Sequence, residues 1–258
     1  MFKRIAVFLY GAKSYMAFLA AFLYAIGFLG NFGVPKAIDS GRDVPLSTAL
    51  AIDVALLGLF AIQHSLMARQ WFKRAWTRIV PGEAERSTYV LFSSVALFLL
   101  FWKWQPIGGT IWSTDAIWGK AAIYTLYVAG WLIVLVSTFL INHFDLFGLR
   151  QVWLYLKGVP YTPLKFRTPG LYRMVRHPLY LGWLLVFWSA PTMTVAHLIF
   201  ALATTGYILI AIQLEERDLS KMHPEYQAYR KEVPMILPIG SSHGLARRKE
   251  QPKEAIPA

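Results

Sequence analysis

A chain of 258 residues that is 56% hydrophobic and 16% aromatic, with apolar runs near the ~20 residues needed to cross a bilayer, reads as a polytopic membrane protein and not as a soluble domain. Its formal charge of +12 gathers in loops between the apolar runs, which is the pattern of positive-inside topology and not of a nucleic-acid partner. The absence of cysteine excludes disulfides, thiolate metal sites and a cysteine nucleophile.

The fold class expected is all-α: a polytopic membrane helical bundle of about six spans with a C-terminal helical hairpin and a cytosolic amphipathic helix after it. Lys3 and Arg4 precede an apolar run with no small-residue cleavage site, so the run is read as a retained first span over residues 14–33. Gly27, Gly30 and Gly33 give that span a narrow face for helix contact. The next loop balances Lys36 and Arg42 against Asp39 and Asp43 and is assigned outside. The second span, 46–68, carries Asp53, Gln63 and His64, and ionisable groups within a span face a bundle interior or a wet cavity. Residues 69–86 place Arg69, Lys73, Arg74, Arg78 and Arg86 among Trp71, Phe72 and Trp76, an inside loop with aromatic anchors. Spans over 87–104 and 121–141 follow, joined by an outside loop whose charges are Asp115 and Lys120.

From 142 to 176 aromatics mix with basic residues, glycine and proline, which predicts an interfacial helix over 147–157 and then a structured loop able to cover a site. The apolar block 178–213 is too long for one span and breaks at Ala190-Pro191-Thr192, giving a hairpin whose first arm is short or tilted. A short helix restarts at Pro224 and stops near Pro234, and residues 241–258 read as a disordered tail. The chain divides into a four-span region at 1–141, a C-terminal region at 142–240 and the tail, with both termini on the cytoplasmic side.

Chemistry concentrates at R-H-P-L-Y-L-G-W over 176–183 and E-E-R-D-L over 215–219. Pro178 suits the first turn of a helix, whose free amides would meet a cationic rim of Arg173, Arg176 and His177, with Tyr180 and an accessible backbone at Gly182 close by. A carboxylate facing that helix start suits a ligand with an ammonium and an acidic end. His64 is either a general base or an interhelical hydrogen-bonding group, and Asp53 is read as an interhelical polar contact. No His, Asp or Glu triplet has metal-ligand spacing, so no metal is expected.

These strings resemble the isoprenylcysteine carboxyl methyltransferase superfamily, whose signature is R-H-P-x-Y-x-G-W, a hairpin, E-E-x-x-L, Y-x-x-Y and V-P-x-x-L-P. Here the last two elements are Tyr226 to Tyr229 and Val233 to Pro238. The resemblance implies S-adenosylmethionine as cofactor, bound by Tyr172, His177, Pro178, Leu179, Tyr180 and Glu215, with Leu164, Lys165, Phe166 and Arg167 from the preceding loop. Where the prenylcysteine enzymes carry a substrate-binding arginine one turn before the first glutamate, this chain has Ala211, which favours a small, neutral, apolar acceptor. The strings over 60–69, 72–81 and 85–92 resemble the bacterial NnrU-type membrane proteins and, among them, the methanethiol S-methyltransferases. That resemblance implies an inner-membrane enzyme that methylates a small volatile thiol, methanethiol, to dimethyl sulfide, with membrane lipid as its other partner. His64, Glu216 and Arg230 are then the candidates for assisting thiol deprotonation.

Two other readings compete. Steroid-type membrane reductases that bind NADPH carry a similar R-H-P-x-Y-x-G string, though commonly with an acid where this chain has Trp183. The NnrU resemblance taken alone also suits a non-enzymatic membrane factor.

Overall fold

The computed structural model of the chain describes residues 1–41 and 44–238; Arg42, Asp43 and the tail expected over 241–258 lie outside the described residues. In chain order the helices are α1 (Phe2–Gly30), α2 (Leu46–Ala68), α3 (Gln70–Trp76), α4 (Glu85–Lys103), α5 (Ile117–Ile141), α6 (His143–Leu146), α7 (Leu149–Lys157), α8 (Pro178–Trp188), α9 (Val195–Met222) and α10 (Tyr226–Glu232). Single 3-10 turns at Gly82–Ala84 and Gly170–Arg173 precede α4 and α8. Five helices, α1, α2, α4, α5 and α9, are long and apolar enough to cross a membrane, so this is a multi-pass membrane protein.

The sixth expected span is a half-length helix. Eleven residues raise α8 only about 16 Å, roughly half a bilayer core. The chain then continues through the predicted break to a short strand, β2 (Thr192–Thr194), which pairs antiparallel with β1 (Thr110–Ser113) from the loop between α4 and α5. This two-stranded sheet, which sequence reasoning does not anticipate, closes one end of the bundle. The opposite end gathers the last turn of α9, the start of α8, and α7 and α10. The expected interfacial helix is α7, and the helix expected after Pro224 is α10.

Two expectations about α1 and its glycines are corrected. The helix starts at Phe2, not near residue 14, because its first turns have a protein partner: Val7 shares a small core with Ala84 and Val152, and Arg4 lies 5.8 Å over the Tyr155 ring of α7. Helical geometry makes its 29 residues about 43 Å long, more than a bilayer core requires, so the basic N-terminal turns extend beyond it. Gly27 and Gly30 chiefly make room for the chain's own reversal after Asn31. A Cβ on Gly27 would clash with Val34 and one on Gly30 with Phe32, and α5 touches this face at Gly30 alone of the two, through the Tyr127 hydroxyl 3.1 Å from such a Cβ.

Close helix approach is instead made by Gly130 of α5 and Gly182 of α8. A Cβ on Gly182 would meet the Gly130 carbonyl oxygen at 2.8 Å, and one on Gly130 would meet the Gly182 oxygen at 2.9 Å. Gly182, expected to expose backbone to a ligand, is therefore buried against α5. Its role is to fix where α8 begins, and hence where the site lies. The main core, including Phe28, Leu100, Trp104, Val186, Phe200 and Ile212, runs through the bundle between the two ends.

Candidate active site

Pro178 opens α8 where no amide donor is needed, and the two residues before it pair with the C-terminal segment: Arg176 N donates to Pro234 O at 2.8 Å and His177 N to Met235 O at 3.0 Å. The R-H-P string and the V-P-x-x-L-P string are thus halves of one local structure. By helix geometry the Leu179 and Tyr180 amides have no carbonyl four residues earlier within the helix, so the start of α8 presents donors. The last turns of α9 bring both glutamates to the same place.

The glutamates, adjacent in sequence and therefore about 100° apart around the helix, divide the work. Glu216 turns inward, its side chain 3% exposed, and is held by Arg176 Nε at 2.7 Å, His177 Nε2 at 3.1 Å and Arg230 Nε at 3.2 Å. Arg176 also donates to the carbonyls of Arg230 and Val233. A carboxylate and guanidinium this buried need such a full set of partners. Glu215 turns the other way, with 47% of its side chain exposed, and accepts one hydrogen bond, from Tyr180 OH at 3.1 Å, beside His177 Nδ1 at 4.0 Å.

A polar seam runs between α2, α4 and α9. Tyr89 OH lies 2.8 Å from His64 Nε2 and 3.0 Å from Nδ1, and Ser93 Oγ lies 3.2 Å from Nδ1. Ser65 Oγ and Tyr207 OH are 3.0 Å apart. The Arg86 guanidinium sits 5.3 Å over the Tyr89 ring while its Nε donates to Leu146 O. Tyr89 and Tyr207 are within electrostatic reach of Tyr180, and Tyr89 is within reach of Glu215, so this seam and the α8 start border one region.

The loop before α8 is tied to the C-terminal segment by Phe166, whose ring stacks on His223 at 5.4 Å and meets Tyr226 and Tyr229 edge-on. Tyr229 OH donates to the Tyr172 carbonyl, and burial pushes that hydroxyl's pKa up to about 12, so it remains a donor at neutral pH. Of the expected cofactor residues, His177, Pro178, Leu179, Tyr180 and Glu215 come together at the α8 start, and Tyr172 is held nearby by Tyr229. Leu164, Lys165 and Arg167 are exposed on the loop that Phe166 anchors.

Arg176 is corrected from rim to interior: its charge is spent on Glu216, whereas Arg173 stays exposed and donates to Thr168 O. Asp53, read as an interhelical contact, is buried at the other end and accepts from Gln105 N at 2.8 Å, just past α4. Among the described residues no group of three or more His, Asp or Glu is placed to hold a metal ion. A groove of 380 Å³ lined by Ile26, Tyr127, Trp131 and Leu132 lies on α5, near the end of α1 that leads to the sheet, and takes no part in this site.

Sequence reasoning missed Tyr89, Ser93, Ser65 and Tyr207. The one signal available was the spacing of Tyr89 and Ser93, four apart and so on one face of α4.

A helical membrane bundle with a half-length helix starting beside two divided glutamates defines an integral-membrane protein with a polar site at one end of its spans. Residues 61–233 match the family model described as "Protein of unknown function (DUF1295)". The chain is 61% identical to a methanethiol S-methyltransferase of Crocosphaera subtropica over 92% of its length and 93% of that protein's. It is 52% identical to a methanethiol S-methyltransferase of Mycobacterium tuberculosis, over 93% and 99% of the two chains. Nurim of Mus musculus is 33% identical over 72% of this chain and 74% of its own length. No solved structure matches. The chain belongs to the DUF1295 family and shares a family with the methanethiol S-methyltransferases.

Proposed function

We propose that this chain is an integral-membrane methyltransferase that uses S-adenosylmethionine to methylate the sulfur of a small thiol, methanethiol first of all, giving dimethyl sulfide and S-adenosylhomocysteine. The observation that carries the reading is 61% identity across nearly the full length of a protein so named, together with an open carboxylate at the start of α8. Relatives named for methyl transfer favour it over an NADPH reductase or a non-enzymatic factor.

The residues present fit such a donor. Glu215 offers a half-exposed carboxylate suited to an ammonium or to ribose hydroxyls, and the Leu179 and Tyr180 amides suit a carboxylate. Tyr172, His177, Pro178 and the loop carrying Leu164, Lys165, Phe166 and Arg167 would complete its walls. When bound, S-adenosylmethionine supplies an already activated sulfonium methyl. The protein's share is then to exclude water, align the thiol and help remove its proton.

Of the three candidates for that last task, Glu216 is bound by Arg230, Arg176 and His177, so Glu216 and Arg230 act by positioning the α8 start. His64, in the polar seam, takes the proton. Even cysteine's thiol, with a reference pKa of ~8.5, is only a few per cent thiolate at neutral pH, and an alkyl thiol without its electron-withdrawing backbone is less acidic still, so a base has work to do. Ala211 leaves no cation one turn before Glu215, and Arg69, paired with Asp218 at 3.5 Å, and Arg86 are already engaged, which suits a neutral acceptor. The donor residues come from region 142–240 and the acceptor seam largely from region 1–141, with the site on the cytoplasmic side of a bacterial inner membrane.

Cells fed methanethiol should release dimethyl sulfide to the headspace only when they express the chain. Purified protein in lipid that binds S-adenosylmethionine yet makes no methylated sulfide would contradict the proposal.

A further inference from the structure

His64 is enclosed on its polar edge. Phe60 stacks on the imidazole with centroids 5.1 Å apart and planes 22° apart, while Ser93 and Tyr89 hydroxyls stand within hydrogen-bond distance of its ring nitrogens. Both nitrogens therefore face protein hydroxyls. A thiol arriving from the Glu215 side would meet another group first. Of His64's two hydroxyl partners Ser93 is buried, whereas Tyr89 is only partly buried and lies within electrostatic reach of Glu215. Arg86 over its ring and the stacked Phe60 behind the imidazole hold the pair in register, and Ser93, one turn along α4, is buried behind it.

We propose that Tyr89 is the residue that touches the acceptor thiol and relays its proton to His64. The proposal rests on the methyl-transfer reading above. As the thiol's S–H bond breaks, its proton passes to the Tyr89 oxygen while the Tyr89 O–H proton passes to the imidazole nitrogen. The freed sulfur pair forms the new C–S bond to the methyl group, and the old methyl–sulfonium bond breaks with its pair going to the donor sulfur. Tyrosine is neutral before and after, and the positive charge that began on sulfonium ends on His64, which gives its proton back through Tyr89 to water once the product has left. A phenol suits this place because it donates and accepts through one oxygen and itself stays neutral, so that His64 is the one seam residue that takes on charge. The Ser93 hydroxyl, at Nδ1, orients the ring.

The test compares wild type, Tyr89→Phe, His64→Gln and the double variant in lipid nanodiscs. Tyr89→Phe is expected to lower kcat by about 100-fold, within the range for a lost acid–base group, while equilibrium affinity for S-adenosylmethionine stays within about twofold. The double variant should be no slower than the slower single one, as expected of groups acting as a unit. Raising pH should narrow the gap to wild type by about tenfold per unit below the thiol's pKa, because the thiolate then needs no relay. Nitrogen NMR of histidine-labelled protein, with His64 assigned from His64→Gln, should show its ring shifts altered in Tyr89→Phe without any cofactor present. Should Tyr89→Phe fail to insert, site-specific fluorotyrosine at position 89 keeps the shape and acidifies the hydroxyl, and must move the pH–rate profile.

Full activity in Tyr89→Phe, a loss that is equal at every pH, a fall in cofactor affinity, or an unmoved profile with fluorotyrosine would each overturn the relay while leaving thiol methylation standing. A wild-type protein without methylating activity would overturn the parent reading and the relay with it.

Discussion

The two ends of the bundle use similar polar residues to opposite purposes. At the sheet end they close on one another or on backbone: Asp39 accepts from Asn31 at 2.7 Å and from Thr194, Asp53 from Gln105 N, Trp112 Nε1 donates to Ala190 O at 3.1 Å, and Lys36 Nζ donates to Trp102 O at 2.9 Å. Each contact ties a loop or strand at this end to another segment of the chain. At the glutamate end, Glu216 is closed in the same way by three cationic or histidine partners, but its neighbour Glu215 is left half open beside free helix donors. The difference shows which carboxylate is architecture and which is available to a ligand, a distinction that residue type alone does not make.

Removing Glu216 should have the largest effect on the fold. Glu216→Ala strands Arg176 in a buried position, and breaking such a pair from one side costs about 3–5 kcal/mol, so a large fall in thermal midpoint in detergent is expected. A midpoint near wild type would mean that the hub is solvated and that the contrast between the glutamates is false. At the sheet end, Asp39→Ala should cost only about 1–2 kcal/mol for the hydrogen bonds its carboxylate accepts from Asn31 and Thr194, and leave thiol methylation at the wild-type rate per folded molecule. A specific loss of activity there would show that the two ends are coupled.

The spans were legible because hydropathy and loop charge decide them locally: α2, α4, α5, the hairpin break at Ala190-Pro191-Thr192 and the interfacial α7 all follow from composition. What escaped depends on contacts between distant segments. The first three turns of α1, set off from the rest of the helix by Lys13, look like a flank before the span until α7 is present to pack on them. The TIWS stretch of β1 looks like an interfacial loop until β2, some eighty residues later, supplies its partner. Gly182 reads as exposed backbone until Gly130 is set against it.

The site divides in the same manner. R-H-P-L-Y and the glutamate pair stand out as strings, and their meeting follows from a hairpin. That Arg176 belongs to Glu216, or that Tyr89 sits on His64, depends on rotations about helices that no single stretch specifies.

Whether Glu215 holds the donor is decided by equilibrium binding of S-adenosylmethionine to purified wild type and Glu215→Ala in lipid nanodiscs, with thermal midpoints measured alongside. Saturable binding to wild type, binding lost in Glu215→Ala, and midpoints that agree are expected, because Glu215 is half-exposed and makes one hydrogen bond. Undiminished affinity in Glu215→Ala would contradict that role.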